Sequence, residues 1–280
     1  MILSVVVITY NEEANLARTL DSVQPLVSGG KGEIIVVDSG STDNTAEIAK
    51  SFGAKVFVEE WKGYAAQKNS AIEKATGDWI LSLDADESLE PELVALLSGH
   101  SDPPKESSAE WCLTMAIAGR QAADLGISEG GPAGFWFPRK NFFLGRWIKH
   151  GGFWPDPKLR LFRRGRGKIQ DALVHETIQV EGNTLHLRHA LVHHSYPTLF
   201  DYIEHMNRYS SLGAEIAVAK GRFGFSLINI VVRPLLTFIY NYFFRLGFLD
   251  GREGLLLHLY HAAYVSWKYA KAWERGRAET

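Results

Sequence analysis

Ile34-Ile35-Val36-Val37-Asp38-Ser39-Gly40-Ser41-Thr42-Asp43 is the stretch that decides the fold. Its first half is a β-branched run that reads as a strand buried on both faces, and its second half is a turn rich in residues that start helices. A strand that ends on a carboxylate and hands the chain to a helix is half of a βαβ unit. The alternation recurs on either side. Leu3 to Thr9, Lys55 to Val58 and Trp79 to Asp84 are the other strand candidates. Leu16, Leu20 and Val23 keep helical spacing after an Asn11 cap, and Ala46, Ala49 and Phe52 keep it after Ser41-Thr42-Asp43. The expected fold class is α/β, with a mostly parallel central sheet. In such sheets ligands gather beyond the C-terminal strand ends, where helix N-termini favour phosphate oxygens. Thr9, Asn11, Asp38, Ser39, Asp84 and Asp86 all fall at that edge.

Composition narrows the function classes. The 280-residue chain has a formal net charge of −2, so nucleic acid is not an expected partner. A single cysteine, Cys112, excludes an intramolecular disulfide and a cysteine-based zinc cluster and fits a reducing compartment, which makes the cytoplasm the expected location. Met1 to Ile8 lacks a basic lead and a small-residue cleavage site, and reads as a first strand rather than a signal peptide. Neither a Gly-x-Gly-x-x-Gly turn nor a Walker-type Gly-Lys-Ser/Thr loop is present, which argues against dinucleotide oxidoreductases and P-loop kinases.

The sharpest chemical signal is Asp84-Ala85-Asp86, two carboxylates one residue apart at the end of a buried strand. Mg²⁺ and Mn²⁺ prefer oxygen ligands and are commonly held by one or two carboxylates together with a substrate's phosphates. The competing reading is an acidic turn before the next helix, since Ser88 and Pro91 also look like a helix start. Asp38 adds a further carboxylate at a strand end, suited to accept hydrogen bonds from a base or ribose.

Val5-Val6-Val7-Ile8-Thr9-Tyr10-Asn11-Glu12-Glu13, Ile35 to Asp43, Ala75-Thr76-Gly77-Asp78-Trp79 and Asp84-Ala85-Asp86, in this order, resemble the family 2 glycosyltransferases. Tyr64-Ala65-Ala66-Gln67-Lys68-Asn69, Lys158 to Arg164, Val174-His175-Glu176 and Gly247-Phe248-Leu249-Asp250-Gly251 extend the resemblance to the lipopolysaccharide-core β-1,4-glucosyltransferase subgroup. The resemblance implies a GT-A fold, a UDP-sugar donor, a divalent cation (Mg²⁺ or Mn²⁺) and inversion at the anomeric carbon. It implies that Thr9, Tyr10, Asn11, Glu12, Asp38, Ser39, Lys68, Asp84 and Ala85 line the donor, with Asp86 at the metal. The implied acceptor is a glycolipid or lipid-linked glycan, and glucose is the expected hexose.

Inversion needs a general base to take the acceptor hydroxyl proton. The Glu-Asp step and Gln-x-x-Arg-Trp motif that carry this acid in many relatives are absent. Asp171-Ala172-Leu173-Val174-His175-Glu176 is the best substitute, with Glu176 as base, Asp171 as the rival base and His175 as a metal or diphosphate contact. Arg160, Arg163 and Arg164 suit diphosphate or an anionic acceptor, or else a solvated strand face. His186, His189, His193 and His194 match no compact ligand set and read as structural or surface histidines.

The expected organisation is a catalytic domain over 1–197, divided into a nucleotide-sugar half over 1–100 and an acceptor half over 109–197, followed by a helical, membrane-associating extension over 198–280. Phe223 to Phe244 is about one membrane thickness long by the rule of roughly 20 apolar residues per span, yet Arg233-Pro234 in its middle disfavours a simple span. Asn229, Arg233, Thr237, Asn241 and Arg245 form a narrow polar stripe, suited to the headgroup interface, a buried hairpin or an interface between copies. The expected location is the inner face of the cytoplasmic membrane, peripherally attached, with oligomeric state open. A polyprenyl-phosphate sugar synthase and a non-catalytic sugar-nucleotide-binding, membrane-docking protein are the alternative readings.

Overall fold

The computed structural model describes residues 2–99, 108–110, 112–113, 131–170 and 177–278. In chain order the first elements are β1 (Leu3–Thr9), α1 (Leu16–Val27), β2 (Gly32–Asp38), α2 (Thr45–Ser51), β3 (Lys55–Val58), α3 (Tyr64–Glu73), β4 (Trp79–Asp84), β5 (Glu87–Leu89) and α4 (Pro91–Ser98). There follow β6 (Gly134–Phe137), β7 (Arg139–Phe143), β8 (Arg146–Trp147), β9 (Lys158–Arg163), β10 (Gly167–Ile169), β11 (Ile178–Val180), β12 (Thr184–His186) and β13 (Leu191–Tyr196). The last are α5 (Leu199–Ala219), α6 (Arg233–Ile239) and α7 (Gly251–Ala278). Two compact units result: Met1–Arg139 with Pro157–His193, and Lys140–Asp156 with His194–Thr280.

The first unit is built on a seven-stranded sheet in the order β12-β6-β9-β4-β1-β2-β3. The β4-β1-β2-β3 run is parallel, and β9 is the antiparallel strand between β4 and β6. This is the α/β, GT-A-like architecture. Alternation along each strand sends side chains to opposite faces, and both faces are covered. Val5, Val7, Ile34, Val36, Leu81 and Leu83 pack with Leu16, Leu20 and Val23 of α1. Val6, Ile35, Val37 and Ile80 join a separate cluster with Ala65 and Ala71 of α3 and with Phe162.

Register decides where the strands end. Thr9 lies opposite Asp38, and Ile8 lies opposite Asp84, so β1, β2 and β4 stop level with one another. Asn11 differs from its expected role as a helix cap. It sits in the left-handed region at φ 54°, and the helix begins only at Leu16. The side chain is otherwise engaged, since its Oδ1 accepts from the Thr42 amide at 2.8 Å.

The opposite end of the sheet explains Ala75-Thr76-Gly77-Asp78-Trp79. Glu33 accepts from Ser4 Oγ at 2.6 Å, Lys55 Nζ at 2.7 Å, the Thr76 amide at 2.7 Å and Thr76 Oγ1 at 2.8 Å. The Gly77 amide donates to Ser4 Oγ at 2.9 Å, and Asp78 accepts from the Ile2 amide at 3.1 Å. The motif therefore ties the starts of β1, β2 and β4 together. Gly77 is required by close approach, because a Cβ there would lie 2.6 Å from the Ile2 carbonyl oxygen and 2.8 Å from the Ser4 nitrogen.

In the second unit, Phe143, Ile148, Tyr202 and Leu257 form a core. Thr198 and Asp201 close a reciprocal capping box at the start of α5. The helical run before α7 is interrupted by π-type turns at Ile228–Val232 and Tyr240–Phe244, with α6 between them. Pro234 has no N–H to donate to the Ile230 carbonyl, four residues back. Ser266 Oγ of α7 donates to that carbonyl instead, at 2.7 Å. Among the described residues no helix is long and apolar enough to cross a membrane.

Gly77→Ala is expected to lower stability by about 1–3 kcal/mol, as overpacking does, and a shift in the denaturation midpoint checks it. Burial pushes the Glu33 carboxyl up, but Lys55, Ser4 and Thr76 donate to it and hold it at about 2. Its contribution is then complete above the unfolded value of about 4.3 and is lost as pH falls toward 2. Glu33→Gln should flatten the melting-temperature profile across that window.

Candidate active site

Asp38, at the end of β2, is buried, and its carboxylate organises the turn that follows. Its Oδ1 accepts from Thr9 Oγ1 at 2.8 Å and from Ser41 Oγ at 2.5 Å, and its Oδ2 accepts from the amides of Gly40 at 3.0 Å and Ser41 at 2.8 Å. A carboxylate offers about four lone-pair sites, and these four donors fill them. The expected contact from Asp38 to a base or ribose therefore requires displacing a protein donor. Gly40, at φ 83°, supplies the left-handed step that aims both amides back at the carboxylate. Two neighbours are better placed to receive a ligand. The Ser39 hydroxyl is buried, with no hydrogen-bond partner among the described residues, and the Tyr10 ring is exposed.

The loop after β1 is stitched to the loop after β2. The amides of Asn11, Glu12 and Glu13 donate to Ser41 Oγ, Thr45 Oγ1 and Asp43 Oδ2, at 2.8, 2.8 and 3.2 Å. Burial raises the Glu12 carboxyl above its ordinary value; a hydrogen bond from Asn15 opposes this, and the charges of Asp86, Asp43 and Asp84 add to it.

The two carboxylates of Asp84-Ala85-Asp86 have different surroundings. Lys68 Nζ lies 2.7 Å from Asp84 Oδ1, and Arg160 Nη2 lies 2.5 Å from Asp84 Oδ2. Arg160 also donates through Nε and Nη2 to Glu87, both at 2.8 Å, and Arg139 Nη1 reaches Glu87 at 2.9 Å. Burial opposes ionisation of both acids. For Asp84, Arg160 and then Lys68 overcome it and hold the carboxyl well below the usual range. For Glu87, Arg160 and Arg139 do so against the repulsion of Asp84. Lys68 and Arg160, expected from the sequence as nucleotide, phosphate or acceptor contacts, thus also pair with acids of the protein.

Asp86 faces His193, whose Nε2 lies 3.1 Å from Asp86 Oδ2. Burial pushes the Asp86 carboxyl up, and His193, by charge and by hydrogen bond, brings it below its ordinary value. The Ala85 backbone between the two acids is held by Thr19 of α1, whose hydroxyl donates to the Ala85 carbonyl at 2.6 Å. His193 reaches the site because Leu191–His193 of β13 pair antiparallel with β5, which sets His193 opposite Glu87. Reading the histidines as structural or surface groups does not anticipate this particular contact. The signal lies in a strand pairing between distant segments and not in any local spacing.

Thr9, Tyr10, Asn11, Glu12, Asp38, Ser39, Lys68, Asp84, Ala85, Asp86 and Arg160 therefore lie at or beside the level strand ends. Arg163 and Arg164 do not. Arg163 pairs with Trp79 at the start of β4, its guanidinium 4.9 Å from the Trp79 ring, and Arg164 Nε donates to the Gly77 carbonyl at 2.8 Å. With Arg166 and Asp78 they line a cavity of about 530 Å³ at the opposite end of the sheet. The antiparallel direction of β9 causes the split, since it carries Arg160 toward Asp84 and Arg163 away from it. Asp171, His175 and Glu176 lie outside the described residues.

As a metal site, the described residues offer one carboxylate and one imidazole on one side, Asp86 and His193. No group of three or more His, Cys, Asp or Glu residues suited to hold an ion is found among the described residues. Such a pair fits a cation that takes its remaining ligands from a substrate's phosphates and from water.

A family model for glycosyl transferase family 2 matches residues 4–165. The chain belongs to that family. It is similar to the lipopolysaccharide core biosynthesis glycosyltransferase LpsC of Rhizobium meliloti, at 29% identity over 280 residues covering 98% of this chain and 92% of that protein. Over 91 residues it is 48% identical to an uncharacterized glycosyltransferase of Rickettsia typhi, covering 32% of this chain and 30% of that one. Among solved structures, the mannosyltransferase PcManGT of Pyrobaculum calidifontis, in complex with GDP-Man and Mn²⁺, aligns over 96% of this chain and 86% of that one, with a TM-score of 0.49 and 15% identity. Membership of glycosyl transferase family 2 makes the chain a transferase and accounts for the β1, β2 and β4 motifs meeting at one edge.

For this family 2 enzyme, Arg160→Met should cost about 3–5 kcal/mol, because Asp84 and Glu87 are left buried without their main counter-charge. The loss should shrink as pH falls and those carboxyls take up protons. Denaturation at pH 7 and at pH 4 checks both statements.

Proposed function

We propose that the chain is an inverting glycosyltransferase that moves a hexose, with glucose as the expected sugar, from a UDP-sugar to a lipid-linked or lipopolysaccharide-core glycan. The observation that carries the reading is the Asp86–His193 pair, 3.1 Å apart and close to an Asp84 already neutralised by Lys68 and Arg160. Asp86 is the carboxylate left to serve a ligand. With His193 it would hold a divalent cation, Mg²⁺ or Mn²⁺, whose bound charge would offset that of the departing nucleotide diphosphate. The imidazole favours Mn²⁺ over Mg²⁺, because nitrogen ligands suit the transition metals better. Ser39, with its buried hydroxyl, and Tyr10, with its exposed ring, serve the nucleotide.

Glu176 is the proposed base and Asp171 its rival. The acceptor oxygen attacks the anomeric carbon, its proton passes to the carboxylate, and the bond from that carbon to the diphosphate oxygen breaks. His175 remains a further candidate for the metal or diphosphate.

We place the enzyme at the inner face of the cytoplasmic membrane, peripherally attached through the 198–280 extension. The polarity of residues 227–249 supports this. Leu227, Ile228, Leu235, Leu236, Phe243 and Phe244 are exposed, Phe244 at 75%, whereas Asn229, Thr237 and Asn241 are half-buried and Arg233 lies on the Tyr269 ring. An exposed apolar belt of this extent marks an interaction surface, and Lys220 and Arg222 nearby suit anionic headgroups. The same belt favours a second reading, a polyprenyl-phosphate acceptor, which extraction of labelled product into organic solvent distinguishes from a glycan acceptor.

UDP-glucose with Mn²⁺ is expected to raise the melting temperature, by the equivalent of about 2.7 kcal/mol at a hundredfold excess over the dissociation constant. Chelator, Asp86→Asn or His193→Ala should remove the metal-dependent part, and an unchanged shift in all three sinks the metal assignment. Glu176→Gln should lower turnover by about 10²–10⁴-fold with donor binding retained. If Asp171→Asn does so instead, Asp171 is the base. Phosphatidylglycerol vesicles should float the protein, and Leu236→Ser with Phe244→Ser should release it.

A further inference from the structure

The end of the first unit's sheet that lies away from the donor edge holds a cavity of its own. Pro157 to Gln170 contains six basic residues and no acidic one, and the structure divides them. Arg160 goes to Asp84, whereas Arg163, Arg164 and Arg166 line the cavity of about 530 Å³ together with Asp78, Glu181 and Asn183. The length of β4 separates the two places. Trp79–Asp84 spans about 17 Å at roughly 3.3 Å per residue, so a diphosphate held at the Asp84 end does not reach these three arginines.

The cavity is framed by backbone hydrogen bonds. The Arg163 amide donates to the Ala133 carbonyl at 2.9 Å, the Ala133 amide to the Asn183 carbonyl at 2.7 Å, and the Glu181 amide to the Arg166 carbonyl at 2.8 Å. The arginine turn closes through the Arg166 amide on the Arg163 carbonyl at 3.0 Å, and Gly165, at φ 79°, supplies the left-handed step that this needs. Two of the guanidiniums are then fixed at one nitrogen only. Arg163 Nε donates to the Pro132 carbonyl at 3.2 Å, and Arg164 Nε to the Gly77 carbonyl at 2.8 Å. Among the described residues their Nη groups and the whole Arg166 guanidinium have no hydrogen bond, and none of the three pairs with Asp78 or Glu181. Asp78 accepts from the Ile2 amide instead.

These donors are within reach of a ligand, because Arg164 and Arg166 are exposed and Arg163 is half-buried. A guanidinium presents paired N–H groups that match phosphate oxygens, and such charge-assisted bonds are the strong ones. Three cations against two acids leave an excess of positive charge, and an anion carrying more than one charge relieves their mutual repulsion. The volume falls within the range of roughly 300–1,000 Å³ usual for small-ligand sites. We propose that Arg163, Arg164 and Arg166 form a phosphate-binding site separate from the donor edge, for a phosphate group borne by a soluble compound or by a lipid headgroup. It does not rest on the glycosyltransferase reading and needs no metal.

The test is isothermal titration calorimetry on the full chain with chelator present, using inorganic phosphate and pyrophosphate as probes and acetate at equal ionic strength as the control. Both probes are expected to bind about tenfold or more tightly than acetate, since phosphate carries more charge and more acceptor oxygens. Arg166→Ala removes no hydrogen bond of the fold and should weaken both by about tenfold, the worth of one charge-assisted bond. Arg164→Ala should do the same, with circular dichroism to check that it folds, and Glu181→Gln should tighten binding by removing a like charge. Probes that bind no better than acetate, or an unchanged phosphate affinity in both arginine variants, overturn the proposal. Once phosphate binding is lost, flotation identifies its source: the variants leave phosphatidylglycerol vesicles if a lipid headgroup is the ligand and stay on them if a soluble phosphate compound is. The UDP-glucose thermal shift should be the same in Arg166→Ala as in the parent protein. Its absence from both counts against the donor reading and leaves the phosphate site to be judged by its own binding data.

Discussion

The first unit depends on one guanidinium. Arg160 is buried between Asp84 and Glu87 and donates to both. Without it, the turn after β4 would bring Asp84, Asp86 and Glu87 together with the largest of their counter-charges gone, which pushes the Asp84 and Glu87 carboxyls up. With it, and with Lys68 and Arg139 at the flanks, Asp84 and Glu87 are charged and occupied, and Asp86 pairs with His193. A sequence pattern of two equivalent aspartates thus becomes two carboxylates with different partners, Asp84 on Lys68 and Arg160 and Asp86 on His193. The level ends of β1, β2 and β4 then place both beside the Asp38 turn.

Much of this half was legible before any coordinates. The strands at Leu3–Thr9, Lys55–Val58 and Trp79–Asp84 have the bounds that their β-branched and aromatic runs suggest, and β2 begins two residues before the apolar run because Gly32 and Glu33 pair beside Leu3 and Ser4. Local chemistry sufficed there. It is silent where a residue's partner comes from a distant segment. Nothing near Lys68 or Arg160 in sequence announces the acids that pair with them. The contact of His193 with Asp86 is equally silent in sequence, since it comes from the pairing of β13 with β5. The three arginines of β9 and its turn looked like one cluster, and an antiparallel strand separated Arg160 from the other two.

The second unit was legible in composition and not in geometry. An apolar stretch with a polar stripe is compatible with several environments, and the stripe alone does not say which side meets solvent. The structure leaves Asn229, Thr237 and Asn241 half-buried and Arg233 exposed against Tyr269, with the leucines and phenylalanines outward. The segment around Trp147 owes its order to Asp250, which lies a hundred residues further on in the chain.

The proline in the helical run has a consequence of a different kind. Because Pro234 cannot donate to the Ile230 carbonyl, that oxygen depends on Ser266 of α7. Sliding the run by one turn, about 5.4 Å, would withdraw the carbonyl from the Ser266 hydroxyl and carry Arg233 off the Tyr269 hydroxyl. An ordinary pair of apolar helices can shift along each other at little cost, since one leucine ridge resembles the next. Here the missing N–H acts as a notch, and the serine hydroxyl fits it at one setting, so the two helices keep a single longitudinal alignment even where their outer surface is greasy and featureless.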